Sequence, residues 1–232
     1  TVHYIFQNTT RPLYNRAVNG EYALGSIFKI ITGIAALEEG KINQWTSFNC
    51  DGYFSKTSRH FKCWVAEYQR QHGRFTIEEG LKHSCNVFFF NAGKFAGAAA
   101  ITNWADKFGF GQPTGIDLPG EAKGLLPDQI RGAERGRRAW ATADTLNLSI
   151  GQGDLMVTPI QVARMMAAIA NGGTLVTPHL ISQTGKSYPT TKINISAKTL
   201  SIVSNGLYNA VNSEGGTAYG RGLGGYRICG KT

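Results

Sequence analysis

The chain has 232 residues, of which 42% are hydrophobic and 17% charged, enough for one large domain or two small ones with a real core. That composition excludes a disordered or low-complexity chain, and there is no internal repeat and no apolar run of membrane-spanning length. A formal charge of +9 invites an anionic partner, and the densest basic run, 130–140, gathers Arg131, Arg135, Arg137 and Arg138. The same run holds Glu134 and two glycines, with no zinc-finger or RNA-binding motif around it. The reading is therefore no nucleic acid; a basic face toward an acidic membrane or an anionic polymer fits the charge equally.

In chain order, Gly25 breaks the backbone, and Ile27, Phe28, Ile30, Ile31, Ile34, Ala35 and Leu37 then form a broad apolar face at helical period. This predicts a buried helix opened by Ser26, with Lys29 beside it because residues three apart are helix neighbours. Taken alone, the pair reads more simply as an N-capping serine and a snorkelling lysine. Thr76 and Glu79 make a capping box before a helical stretch running to residue 97, with a turn at Ser84, Cys85 and Asn86 leading into its buried part. Residues 98–111 read as a further helix stopped by Gly109. Between 110 and 153, frequent Gly and Pro predict an ordered loop region. Thr158, Pro159 and Gln161 form a second capping box, with proline at the first helical position, opening a helix that stops at Gly172. A last helix starts at Ser196 and runs to 212. Strands are scarce; 172–181 and the terminal 224–232 are the candidates.

Three short patterns stand out: Ser26-x-x-Lys29, Ser84-x-Asn86, and Gly230 with Lys231 and Thr232 on the terminal strand. Each is weak singly. A second serine-x-asparagine occurs at 47–49 with no helix after it, and lysine-threonine pairs at 56 and 198 lack a preceding glycine. In this order and at this wide spacing, they match the motif set of penicillin-binding proteins and serine β-lactamases. The stretches "LYNRAVNGEYALGSIFK", "FKCW", "SCNVFFF", "PTGIDLPGE", "NLSIGQGDLMVTPIQVARMMAAIANGG" and "GGTAYG" extend the match. Over nearly its whole length the chain resembles the transpeptidase domain of class B penicillin-binding proteins, especially the elongation-type group called penicillin-binding protein 2. The stretch 147–173 is the most specific and separates it from the shorter β-lactamases. One departure is Leu24, where the family usually has proline; it is expected to alter the turn and leave the chemistry intact.

The resemblance implies an α+β (α/β) transpeptidase fold, mainly helical with an incomplete antiparallel sheet, residues 1–232 forming one partial domain cut at both ends. It implies a peptidoglycan D,D-transpeptidase that crosslinks cell walls through a serine acyl-enzyme and is acylated by β-lactams. Ser26 would be the nucleophile and Lys29 its base, made available by burial and by the like charge of Lys231. Ser84 would relay the proton, and Asn86 would hold Lys29 and the substrate amide. Lys231 and Thr232 would grip the terminal carboxylate of a D-Ala-D-Ala stem peptide. One oxyanion donor would be the Ser26 N–H and the other would lie past Thr232, so the 232 residues alone are expected not to catalyse. The family also implies cell-wall elongation proteins as partners and a place on the outer face of the cytoplasmic membrane, anchored by a segment absent from this chain. A penicillin-sensing or non-catalytic scaffold domain of the same fold is the alternative; three intact motifs argue against it, since a pure binder needs no base.

Cys50, Cys63, His72 and Cys85 fall within one window between the first two motifs. Thiolates and imidazole are preferred zinc ligands, though the spacing is not that of short C-x-x-C pairs. A structural zinc, a Cys50–Cys63 disulfide closing a loop worth about 3 kcal/mol, and free thiols are all compatible with the sequence; some elongation-type relatives are thought to carry zinc near this position. No cofactor is expected in the catalytic chemistry. Cys229 reads as a small buried side chain.

Overall fold

The computed structural model describes residues 9, 12–55, 60–127, 139–181, 187–222 and 226–232. The basic cluster Arg131, Arg135, Arg137 and Arg138 lies outside the described residues. Eight α-helices occur in chain order among the described residues: α1 (Arg16–Asn19), α2 (Lys29–Glu38), α3 (Ile77–Lys82), α4 (Asn86–Ala96), α5 (Ala98–Lys107), α6 (Thr142–Ser149), α7 (Pro159–Ala170) and α8 (Ala197–Asn212). Two small antiparallel pairs join them: β1 (Phe48–Cys50) with β2 (Gly73–Phe75), and β3 (Thr174–Val176) with β4 (Thr190–Lys192).

The hub is α2. Phe28 just before it and Ile30, Ile31, Ile34, Ala35 and Ala36 on it are almost fully buried, and each large side chain contributes roughly 1.5–3 kcal/mol by leaving water. Helices α4 and α5 pack on one side of α2 and α8 on another, while α6 lies against α4. Phe88 and Phe89 of α4 and Leu207 of α8 complete the interior. The start of α8 is tied to the end of α2 by Ser196 Oγ, which donates to Glu38 Oε1 at 2.7 Å.

The local signals differ in how well they survive. Thr158 and Gln161 cap each other reciprocally, and Ser196 caps α8, as the sequence predicts. Gly109 takes the left-handed conformation (φ +81) just past α5 and bonds back to Asp106 O. The Thr76 hydroxyl does not cap α3, and the Glu79 carboxylate pairs with His83 Nε2 at 3.2 Å. The stretch from 77 to 97 is two helices, α3 and α4, broken where Ser84 adopts φ +53. Within 110–153 the predicted loop contains helix α6. Among the described residues the terminal segment 226–232 pairs with no strand; it is held by α8 instead, with Gly230 N–H donating to Leu207 O and Asn212 Nδ2 to Ile228 O. Cys229 is exposed there, not buried.

One loop glycine is fixed by the close approach of the turn that carries Ser26. Gly151 has φ +72, its carbonyl accepts from Gly25 N–H at 2.9 Å, and a Cβ would meet Gly25 O at 2.2 Å. Gly151→Ala is expected to lower unfolding free energy by about 2–4 kcal/mol, from left-handed strain plus overpacking. Urea unfolding checks this; a loss under about 0.5 kcal/mol, the range of ordinary surface changes, would show that the contact is not tight.

Candidate active site

Ser26 lies in a 3₁₀ turn, Gly25–Phe28, that runs straight into α2. Gly25 at φ +60 turns the chain inward. Leu24 sits at φ −73, the value a proline ring would impose, so the departure noted in the sequence leaves φ of the turn unchanged. The Ser26 hydroxyl makes no helix cap; it faces Lys29, whose Nζ is 3.0 Å away.

Lys29 is fully buried, and its amine is held from two parts of the chain, the turn carrying Ser26 and the segment 84–86. Nζ donates to Asn86 Oδ1 at 2.6 Å and to Ser84 O at 2.8 Å, and lies 3.1 Å from Ser84 Oγ as well as 3.0 Å from Ser26 Oγ. The two nearest acceptors are carbonyl oxygens, which can only accept. A neutral amine spends its two N–H bonds on them and turns its lone pair toward the two hydroxyls. Burial is what favours the neutral form: it lowers the Lys29 pKa from 10.5 to about 8, against an opposing pull from Cys63 and Cys85. Protonated at neutral pH, the buried ammonium therefore costs about 3 kcal/mol relative to its exposed state.

Ser84 reaches Lys29 with both its carbonyl and its hydroxyl because its backbone is left-handed (φ +53), a conformation that costs a non-glycine residue energy and recurs at functional sites. Its Oγ also donates to Thr232 O at 3.3 Å. Lys231 Nζ donates to the same carbonyl. The Lys231 pKa falls to about 7, first through burial and then through the charge of Lys29. The like-charge effect expected from the sequence thus acts mainly on Lys231, and Lys29 is lowered by burial. Thr232 Oγ1 donates to Thr217 Oγ1 at 2.7 Å, and Thr217 in turn donates through N–H and hydroxyl to Lys82 O. Asn86 has one donor already engaged, since Nδ2 bonds Lys62 O at 3.0 Å.

Behind the Ser84 turn, Cys50, Cys63, His72 and Cys85 place their ligand atoms within 4.8 Å of one another. The separations are 3.7 Å from Cys50 Sγ to His72 Nδ1, 3.5 Å from Cys63 Sγ to the same nitrogen, and 4.0 Å from Cys63 Sγ to Cys85 Sγ. A tetrahedral zinc has sulfur–sulfur edges of roughly 3.8 Å and sulfur–nitrogen edges of roughly 3.6 Å, so the donor set fits it in type, number and spacing. The four cysteines are free thiols and no Cys50–Cys63 bond is formed. The Cys63 thiol is held well below its usual range by hydrogen bonds from Cys50 and Cys85. Burial pulls His72 down, but its hydrogen bonds to Cys50 and Cys63 prevail and raise it to about 9. Its ring is turned so that Nδ1 meets the sulfurs, leaving Nε2 buried without a hydrogen-bond partner among the described residues.

The model of the penicillin-binding protein transpeptidase domain matches residues 3–232. The chain belongs to the penicillin-binding protein transpeptidase family. It is similar to the peptidoglycan D,D-transpeptidase MrdA of Acinetobacter baumannii, 34% identical over 81% of this chain and 28% of that protein. It is also similar to MrdA of Escherichia coli, 30% identical over 93% of this chain and 35% of that protein. The structure of penicillin-binding protein 2 from Helicobacter pylori in complex with MreC superposes with a TM-score of 0.86 at 29% identity, covering 98% of this chain and 42% of that one. The chain therefore spans about a third of the length of these curated relatives. Within the family these similarities mark an elongation-type, class B transpeptidase domain.

Ser26, Lys29, Ser84, Asn86, Lys231 and Thr232, the set singled out by this family's motif pattern, thus converge through one network. The sequence reading missed the residues that brace them: Gly151, Thr217 and the Lys62 carbonyl. Thr217 sits in the "GGTAYG" stretch that marks the family, but its bond to Thr232 links positions 15 apart that no local pattern connects. A carboxylate in place of the Asn86 amide would stabilise the ammonium of Lys29. Asn86→Asp is expected to raise the Lys29 pKa above about 8, read from the side-chain resonances of ¹³C-labelled lysine; an unchanged or lower value would mean that Asn86 does not contact the amine.

Proposed function

We propose that the chain carries the catalytic centre of a peptidoglycan D,D-transpeptidase that forms cell-wall crosslinks through an acyl-enzyme on Ser26 and is acylated there by β-lactams. The observation that carries this is the Lys29 amine, fixed by the two carbonyl acceptors with Ser26 Oγ and Ser84 Oγ on its remaining side. Ser26 Oγ attacks the penultimate D-alanine carbonyl while Lys29 Nζ takes its proton. Ser84 Oγ passes a proton to the departing D-alanine amine as the C–N bond breaks. An acceptor amine then enters by the reverse path and releases Ser26. With its pKa near 8, on the order of one Lys29 in ten is neutral at pH 7, against about one in a thousand for a free lysine. Lys231 and Thr232 bind the substrate carboxylate, and that anion draws Lys231 back to its charged form.

The MreC complex of the Helicobacter pylori relative supports cell-wall elongation proteins as partners. Peptidoglycan as substrate places the reaction on the outer face of the cytoplasmic membrane; among the described residues no helix is long and apolar enough to cross one.

Fluorescent penicillin tests the assignment in the full protein. The label should map to Ser26 and vanish in Ser26→Ala. Its rate should rise with pH and level off above about 8, since a base must be deprotonated to act. Lys29→Arg, whose guanidinium keeps its proton, should slow acylation by about 10²-fold or more. Label on Ser84, or a rate indifferent to Lys29, would overturn the reading.

Cys50, Cys63, His72 and Cys85 would hold one structural zinc that takes no part in the chemistry. It would supply a crosslink between the 50–72 segment and the turn carrying Ser84 and Asn86, because Cys85 stands between them. Protein purified without chelator should contain one zinc per chain by elemental analysis. Cys63→Ser should lose it and melt at lower temperature; a metal-free protein of unchanged melting temperature would exclude the site.

A further inference from the structure

Beside the catalytic network lies a cavity of about 440 Å³ whose walls include Trp64, Tyr68, Arg70, His83, Gly216 and Thr217. Resting on the transpeptidase reading above, we propose that this cavity binds the amino-sugar end of the substrate, the N-acetylated hexosamine that carries the stem peptide.

Its position ties it to the motifs on two sides. His83 directly precedes Ser84, and Thr217 accepts the hydrogen bond of Thr232 Oγ1. Trp64 is 42% exposed yet held in place, since its indole N–H donates to His83 O at 3.1 Å. Tyr68, 67% exposed, meets it edge-on with ring centroids 6.2 Å apart and planes at 77°. Two rings fixed at nearly a right angle form an apolar corner suited to the flat C–H face of a pyranose, while their polar edges stay wet. Apolar corners with a few convergent polar groups are the usual form of small-ligand sites. Arg70 supplies donors and positive charge for the acetamido oxygen and for stem carboxylates.

The backbone supports a built site. Gln69, between Tyr68 and Arg70, is left-handed at φ +53, and Ser84 is the only other non-glycine residue with positive φ among the described residues. The strained turn ends the 3₁₀ helix Trp64–Tyr68 and presents both side chains at the cavity. Three stem residues separate the sugar linkage from the D-alanyl donor, roughly 10 Å of extended chain, so a peptide acylating Ser26 must carry its sugar away from the nucleophile along one wall of the site. The aromatic corner offers that end a surface.

The test uses the full protein bearing Ser26→Ala, to prevent turnover, and two probes: a disaccharide pentapeptide and the same pentapeptide without sugar. The disaccharide form should bind at least tenfold more tightly by calorimetry and should shift the Trp64 indole N–H resonance, which the bare peptide leaves in place. Tyr68→Ala and Arg70→Ala, both at exposed side chains, should bring the affinity ratio toward one. Equal affinity of the two probes, or a ratio indifferent to both substitutions, would overturn the proposal. Penicillin labelling of the parent protein is run in parallel. Absent labelling would overturn the transpeptidase reading itself, whereas labelling of Ser26 with a ratio of one would overturn only the sugar site.

Discussion

The buried amine of Lys29 is the constraint around which the rest is arranged. Burial lowers its pKa to about 8, so holding it charged at neutral pH costs about 3 kcal/mol, and the fold surrounds the amine with acceptors from two segments. Ser26 comes from the turn before α2, and Ser84 and Asn86 from the break between α3 and α4. Apolar burial around α2 pins the lysine, so the acceptors must come to it. Its reactivity follows from the same burial, since the environment that penalises the cation makes the free base accessible near neutral pH.

The break between α3 and α4 is where catalytic and structural demands meet. Ser84 supplies the amine with two acceptors only because its backbone is left-handed. Cys85 next to it accepts the Phe88 N–H and starts α4, while its sulfur joins the Cys and His cluster. Asn86 then links Lys29 to the Lys62 carbonyl, one residue before Cys63. A strained turn persists when its surroundings over-determine it. Here the surroundings are helix α4 on one side and the cluster on the other.

The third motif is positioned differently. Among the described residues 226–232 has no neighbouring strand, and it is held by α8 and by the link from Thr232 through Thr217 to Lys82. That link returns to the end of α3, two residues before Ser84. The second and third motifs are thus referenced to one short piece of backbone, which also forms a wall of the aromatic cavity.

What the sequence determined by itself was local. The period of apolar residues located α2, α7 and α8, and the caps at Thr158 and Ser196 set two helix starts, because a helix face and a cap are decided within a few residues. The motif order carried the family and named the residues that converge. Only the tertiary structure decided that burial of Lys29, rather than Lys231, lowers its pKa, that the three thiols and His72 meet as four ligand atoms, and that Thr76 makes no cap while Glu79 pairs with His83. It also decided strands β1, β2 and β4, which are three residues long and too short to show a period. Desolvation, ligand geometry and strand pairing depend on segments that are distant along the chain, and a linear pattern does not contain their separation in space.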